Sequence, residues 1–447
     1  MLKKNHLLLV FLSLTFCLFI SFLNLRCKEE SLDRRRVQTI LDWNKLILEL
    51  EQNTPGYRAP VTARMLAYVG LGKYLAAKEI CPPVKIDNLI SDLNNSQSET
   101  LIDIEPGIAV SKCMNVLLKL FFATAPENYR TRIDELYIRC NKRFERNVTE
   151  DSYSRSLLHG TEIANIIWKY SKSDSIAHDG FLFNYDHSFK PIECIGCWQE
   201  TGTRAMPALL PHWGEARTFL VGAHDVDILP PIPYDTNRTS EYYKQAQEVV
   251  FLGNNLDHEK KWISEFWSDD FPGFTISPSA RWISIAIQAV ENSTLSFKKV
   301  LELDLLLGLA LNDAAVITWN AKYKYNVQRP ESFIMKYIDP DWVSMIPAPS
   351  FPAYPSGHSV FGGAASVILE NYFGPTFQMT DKTHINRSEF LGNPRTYNSF
   401  REMATENALS RIYIGVHTRS ECEEGLKLGR AVGTLYIRKK NNFTFLN

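Results

Sequence analysis

Between Arg34 and Tyr170 apolar residues recur every three or four positions, as in ILDWNKLILEL (40–50) and MNVLLKLFFATA (114–125). That spacing gathers them on one face of a 3.6-residue helix, and the alternation that a half-buried strand needs is missing. The pattern breaks from His187 to Tyr234, where ALLPHWGEARTFLV and DILPPIPYDTN concentrate Pro, Gly and Trp. Such dense punctuation predicts an irregular segment that wraps the surface or lines a cleft. Helical periodicity returns at Ser240 and lasts to Arg438, interrupted at SDDFPGFTISPSA (268–280), at the Pro-rich approach to Pro355, and from Thr380 to Pro394. The run LELDLLLGLALNDAAVITW (301–319) is apolar nearly all round but carries Glu302, Asp304, Asn312 and Asp313, so it predicts a helix buried in protein. The expected fold is all-α, with two helical-bundle halves. Residues 31–235 form the first half with its irregular linker, and 236–447 form the second.

Residues 1–30 stand apart. Lys3 and Lys4 precede a charge-free apolar run at 7–25, followed by Arg26, Cys27 and Lys28. A positive start before an apolar stretch predicts an export signal. The run is long for a cleavable signal and just long enough to span a bilayer, and Arg26 before Cys27 fits poorly with lipid attachment. The protein is therefore expected to be exported, periplasmic or extracellular, with membrane contact only through this segment.

Composition narrows the partners. A net charge of −1 over 447 residues gives no electrostatic footprint for nucleic acid or a polybasic membrane surface. Any anion must be held by a local site. Cys194-Ile195-Gly196-Cys197 has no second CxxC and no matching His pair, so it reads as a local disulfide or two free thiols.

Three clusters in the second half carry candidate chemistry. In the first, Lys322 and Arg329 are seven residues apart, two helical turns, so both can project from one face before Pro330 ends the helix. An ammonium and a bidentate guanidinium converging on one point suit a tetrahedral oxyanion. In the second, Pro355-Ser356-Gly357-His358 runs into small and apolar residues, which predicts a helix start. Ser356 is a favoured N-cap there, Gly357 admits a close ligand, and His358 can move protons near neutral pH. In the third, Arg411 lies six residues before His417, the wrong angle for one helix face, but Gly415 allows a break between them. Glu421, one turn past His417, can orient its imidazole.

Taken together, the clusters resemble the signature shared by type 2 phosphatidic acid phosphatases and vanadium-dependent haloperoxidases. That signature is Lys, six residues, Arg-Pro; then Pro-Ser-Gly-His; then Ser-Arg, five residues, His, three residues, Asp. Every spacing is matched here, and only the final Asp is replaced, by Glu421. The resemblance implies that Lys322, Arg329, Ser356, Gly357 and Arg411 hold vanadate or phosphate oxygens and that His358 is the general acid/base. It makes His417 either the axial ligand of vanadium or the nucleophile of a phosphatase, with Glu421 orienting it. Restoring the family residue with Glu421→Asp is then expected to preserve or improve activity.

The haloperoxidase branch is favoured by further resemblance. Trp319 and Phe351 stand where chloride-oxidising members have an aromatic halide pocket, and APSFPAYPSGHSVFGGA (348–364) is similar to the string around their motif almost throughout. On that reading the cofactor is vanadate, the substrates are hydrogen peroxide and halide, and the product is hypohalous acid. Two alternatives stay open: an acid phosphatase that cleaves phosphate monoesters through a phosphohistidine, and a catalytically silent oxyanion-binding protein.

Overall fold

A computed structural model describes residues 31–77, 103–200, 206–271 and 273–439; the expected export segment, 1–30, and Cys81 lie outside them. Thirteen α-helices run through the described residues. The first half contributes α1 (31–53), α2 (Ala59–Ala76), α3 (Pro106–Phe121), α4 (Glu127–Lys142) and α5 (Glu150–Lys172). The second contributes α6 (Glu241–Asn254), α7 (His258–Phe266), α8 (Pro278–Glu291), α9 (Phe297–Tyr325), α10 (Pro330–Tyr337), α11 (Gly357–Phe373), α12 (Phe400–Tyr413) and α13 (Arg419–Lys439). Among the described residues strands are confined to two antiparallel pairs, β1 (Tyr185–Asp186) with β2 (Ala208–Leu209) and β3 (Met379–Asp381) with β4 (Arg395–Tyr397). The all-α expectation holds. Among the described residues no helix is long and apolar enough to cross a membrane.

The central element is α9, whose 29 residues are buried over most of their length. All 18 residues of α2 are buried as well, and α2 packs along α9. Gly308 makes that crossing close, because a Cβ there would stand 2.7 Å from the Leu66 carbonyl oxygen. Large apolar side chains on both helices, such as Met65, Leu309 and Leu311, are 0–1 % exposed, a burial that contributes roughly 1.5–3 kcal/mol each.

On its other side α9 meets α11, which packs most extensively against α13. The irregular segment is tied to this body through one carboxylate. Asp313, on α9, accepts from the backbone N–H groups of Phe219, Leu220 and Val221 at 2.8–2.9 Å and from Tyr436 Oη, on α13, at 2.5 Å.

The structure differs from the sequence expectation at one functional point. Helix α9 does not continue to Arg329; it ends at Tyr325, and Asn326 takes the left-handed conformation (φ 48°) with its N–H donating to Lys322 O at 2.8 Å. Asn tolerates that region better than most residues, so it can stop a helix without glycine. Arg329 becomes the residue preceding Pro330 and α10. Cys194 and Cys197 form a disulfide, and its turn pairs with this connection: Gln328 N donates to Gly196 O at 3.0 Å and Trp198 N to Asn326 O at 2.7 Å.

Candidate active site

Five chain connections converge on one cavity of about 280 Å³. Its wall includes Trp319, Phe351, Gly357, His358, Arg411 and His417. Lys322, Arg329 and Ser356 are fully buried around it. The three clusters, separated by up to a hundred residues in sequence, thus form one site.

Each side chain is placed by the end of a helix. Lys322 sits in the last turn of α9 and donates from Nζ to the carbonyls of Pro352 and Ala353, both at 2.9 Å. An ammonium has three hydrogens, so one remains for a ligand. Arg329 donates from Nε to Phe351 O at 3.0 Å and from Nη1 to Val416 O at 3.1 Å, while its buried Nη2 has no partner. Arg411, in the last turn of α12, donates from Nη1 to Trp267 O at 3.3 Å, and its buried Nε is also without a partner. Ser356 caps α11 by position, but its side chain makes no capping bond.

The link from α12 to α13 carries the fourth feature. Gly415 turns the chain with φ 88°, and a Cβ there would lie 2.6 Å from Trp342 Cη2. The turn delivers His417 to the cavity, and α13 then starts at Arg419 with Glu421 in its first turn. Nδ1 of His417 lies 2.8 Å from Glu421 Oε2, which also accepts from Thr418 N at 3.0 Å. The extra methylene of Glu relative to Asp is accommodated by this contact.

The tautomer of His417 follows from its two neighbours. Nε2 lies 3.3 Å from Arg329 Nη1, and a guanidinium can only donate. Nε2 is therefore the acceptor, the proton resides on Nδ1, and Nδ1 donates to Glu421. The single lone pair on Nε2 therefore faces the cationic cluster and accepts from Arg329.

Burial governs the charges. Desolvation first, and then the cations Arg329, Lys322 and Arg411, hold His417 well below the ordinary imidazole value. His358 is lowered in the same way, first by burial and then by Arg411, Lys322 and Arg329, and its Nε2 is buried without a partner. Both imidazoles are neutral near pH 7. Burial and then Arg329 push the Lys322 ammonium well below its usual value, and burial raises Glu421 to about 7. Desolvation lowers Arg329 and Arg411 too, but a delocalised guanidinium stays charged under these conditions. A buried cluster of cations with unpartnered N–H groups is a strong demand for an anion.

Trp319 and Phe351 sit together at the same place, ring centroids 5.1 Å apart. Phe351 also lies beneath two cations, Lys322 Nζ at 5.0 Å and Arg329 Cζ at 4.8 Å from its centroid.

Three charged wall residues escaped the sequence reading. Asp269 and Asp270 come from the break after α7, and Arg58 precedes α2. Arg58 pairs with Asp270 at 2.7 Å, and both carboxylates favour the charged form of Arg411. The only local signal was an Asp-Asp pair in a Pro/Gly-rich break, and nothing in it points to a cavity shared with α11 and α12.

Comparison with known proteins agrees with this geometry. The profile of the family described as VCPO second helical-bundle domain matches residues 302–444. The chain is 23% identical to the vanadium chloroperoxidase of Curvularia inaequalis, over 85% of this chain and 78% of that protein. It is 31% identical to the vanadium-dependent bromoperoxidase of Corallina officinalis, but over only 24% of this chain and 20% of that protein. Among solved structures, a bacterial vanadium-dependent iodoperoxidase superposes with a TM-score of 0.76 at 27% identity, over 90% of this chain and 96% of that one. A bacterial vanadium-dependent chloroperoxidase superposes with a TM-score of 0.66 over 88% and 94%, and at 15% identity that likeness speaks to the fold alone. A helical fold, a cationic site at helix ends and these relatives agree: over most of its length the chain is similar to vanadium-dependent haloperoxidases, and residues 302–444 match the second helical-bundle domain of that family.

Proposed function

We propose that the protein is a vanadate-dependent haloperoxidase that uses hydrogen peroxide to oxidise halide to hypohalous acid. The reading is carried by one juxtaposition: Arg411, with its unpartnered Nε, lines the same cavity as the aromatic pair, and Lys322 and Arg329 lie over the Phe351 ring of that pair. The donor set suits a metal oxyanion better than a bare cation, because it offers three cationic side chains and a single imidazole lone pair. Arg329 Nη2, Arg411 Nε, the third hydrogen of Lys322, Ser356 Oγ and the Gly357 N–H would hold vanadate oxygens, and His417 Nε2 would bind vanadium in place of its contact with Arg329 Nη1. Bound there, vanadate would supply the Lewis acidity that activates hydrogen peroxide for attack by halide.

The chain's own groups have separable tasks. Glu421 fixes the His417 tautomer so that Nε2 presents its lone pair. His358, neutral and without a partner at Nε2, takes up a proton from an arriving group and returns it to a leaving one. The cations above the Phe351 face draw electron density from the ring, which makes its edge more attractive to a halide. Asp269 and Asp270 favour the charged form of Arg411.

A phosphatase is the second reading, because the lone pair at His417 Nε2 would equally suit attack on phosphorus. Trp319 and Phe351 have no task in that chemistry, which is why it ranks second. The test is a paired assay of the purified chain: peroxide-dependent bromide and iodide oxidation after vanadate loading, beside p-nitrophenyl phosphate hydrolysis without vanadate. Halide oxidation supports the proposal. Hydrolysis alone supports the phosphatase, and neither activity leaves an oxyanion-binding protein.

A further inference from the structure

Ser356 occupies the N-cap of α11, where a side chain commonly accepts from the backbone two or three residues on, yet it makes no such bond. Instead its Oγ accepts from Ser359 Oγ at 3.0 Å, and both residues are fully buried. The Cys422 thiol, on α13, lies within hydrogen-bonding reach of both hydroxyls. The neighbouring Gly425 leaves no slack, since a Cβ there would stand 2.7 Å from Ser356 O and 2.8 Å from Ser359 Cβ. The backbone of Ser356 is also held, its N–H donating to Glu421 O at 3.0 Å. The serine pair is therefore fixed on three sides.

A hydroxyl has one hydrogen and two lone pairs. With a lone pair taken by Ser359, Ser356 cannot direct its hydrogen back along that contact. Among the described residues, the acceptor within reach of that hydrogen is the sulfur of Cys422, a weak one. Accepting a bond also polarises the O–H and makes it a better donor. We infer that Ser359 is a positioning residue, which by donating to Ser356 Oγ commits the Ser356 hydroxyl to donating to the bound oxyanion. The inference rests on the reading of the site as an oxyanion cradle. Ser359 touches no ligand; it acts through Ser356.

The probe is inorganic phosphate, titrated calorimetrically into the full chain and into Ser359→Ala, Ser356→Ala and the double variant, with melting curves to verify folding. Removing a neutral hydrogen bond that orients a donor should weaken phosphate about fivefold in Ser359→Ala. In the Ser356→Ala background the same change should cost less than about twofold, because the two residues act as one unit. Ser359→Cys keeps the side chain's size with a weaker donor and should fall between wild type and Ser359→Ala, so it carries the test if the alanine variant does not fold. Wild-type phosphate affinity in Ser359→Ala, or an equal loss with and without Ser356, overturns the positioning role while leaving the cradle intact. Failure of the unsubstituted chain to bind phosphate at all, with Arg329→Ala as the reference, overturns the cradle and the inference with it.

Discussion

The replacement of Glu421 by Gln isolates one charge. Glu421 Oε2 accepts from His417 Nδ1 at 2.8 Å and from Thr418 N at 3.0 Å, and the Glu421 and His417 side chains are buried. Gln can keep both bonds through its amide oxygen but loses the carboxylate charge. A bond to a charged group is worth about 1.5–3 kcal/mol and a neutral one about 0.5–1.5 kcal/mol, so the loss is about 1–1.5 kcal/mol. That corresponds to a fall of roughly tenfold in kcat/KM for halide oxidation. The assay belongs at pH 8, since burial pushes Glu421 up to about 7 and the carboxylate must be ionised for the charge to count. The same shift has a stability consequence. A carboxyl raised in the folded state contributes stability that is complete below its ordinary value, near 4.5, and lost as pH rises through about 7. Gln has no such loss, so the anion-free variant should gain in melting temperature relative to wild type between pH 4.5 and 8. Glu421→Asp withdraws the carboxylate by about one C–C bond, 1.5 Å, and breaks the 2.8 Å contact. Its activity should therefore fall, reversing the expectation drawn from the family residue. Rates within twofold of wild type for Glu421→Gln at pH 8, with no pH-dependent difference in melting, would refute the orienting role.

The remaining expectations concern the cradle, the two imidazoles and the turn between them. Lys322→Ala, Arg329→Ala and Arg411→Ala each remove a charge-assisted contact of about 1.5–3 kcal/mol, so vanadate affinity measured by equilibrium dialysis should drop at least about tenfold in each. His417→Ala should abolish vanadate binding and turnover together, whereas His358→Ala should retain vanadate and lose turnover; the reverse pattern would exchange their roles. Gly415→Ala forces a Cβ at φ 88° to within 2.6 Å of Trp342, so thermal melting should show a loss of about 1–3 kcal/mol and vanadate affinity should fall as His417 shifts.

Much of this site was legible in the residue order. Spacing grouped Lys322 with Arg329; Arg411 and His417 are at the wrong spacing for one helix face, and Gly415 marked the break that lets them converge. The helix after Lys322 was misjudged because KYKYNVQR contains no Gly or Pro; Asn326 ends it by a left-handed turn that propensity alone does not demand. The cap at Ser356 was legible as a position but not as a bond, since only packing against Ser359, Cys422 and Gly425 directs the hydroxyl elsewhere. Arg58, Asp269 and Asp270 were invisible for a different reason. They reach the cavity through the packing of α2 and the segment after α7, and no local pattern encodes that contact.

The central claim is that vanadate seated in this cradle oxidises halide, and titration of the apo chain with vanadate tests it most directly. Peroxide-dependent iodide oxidation should rise from zero, saturate at one vanadate per chain, and be suppressed by inorganic phosphate competing for the same donors. Oxidation that is absent at saturating vanadate, or that phosphate leaves unchanged, would contradict the account.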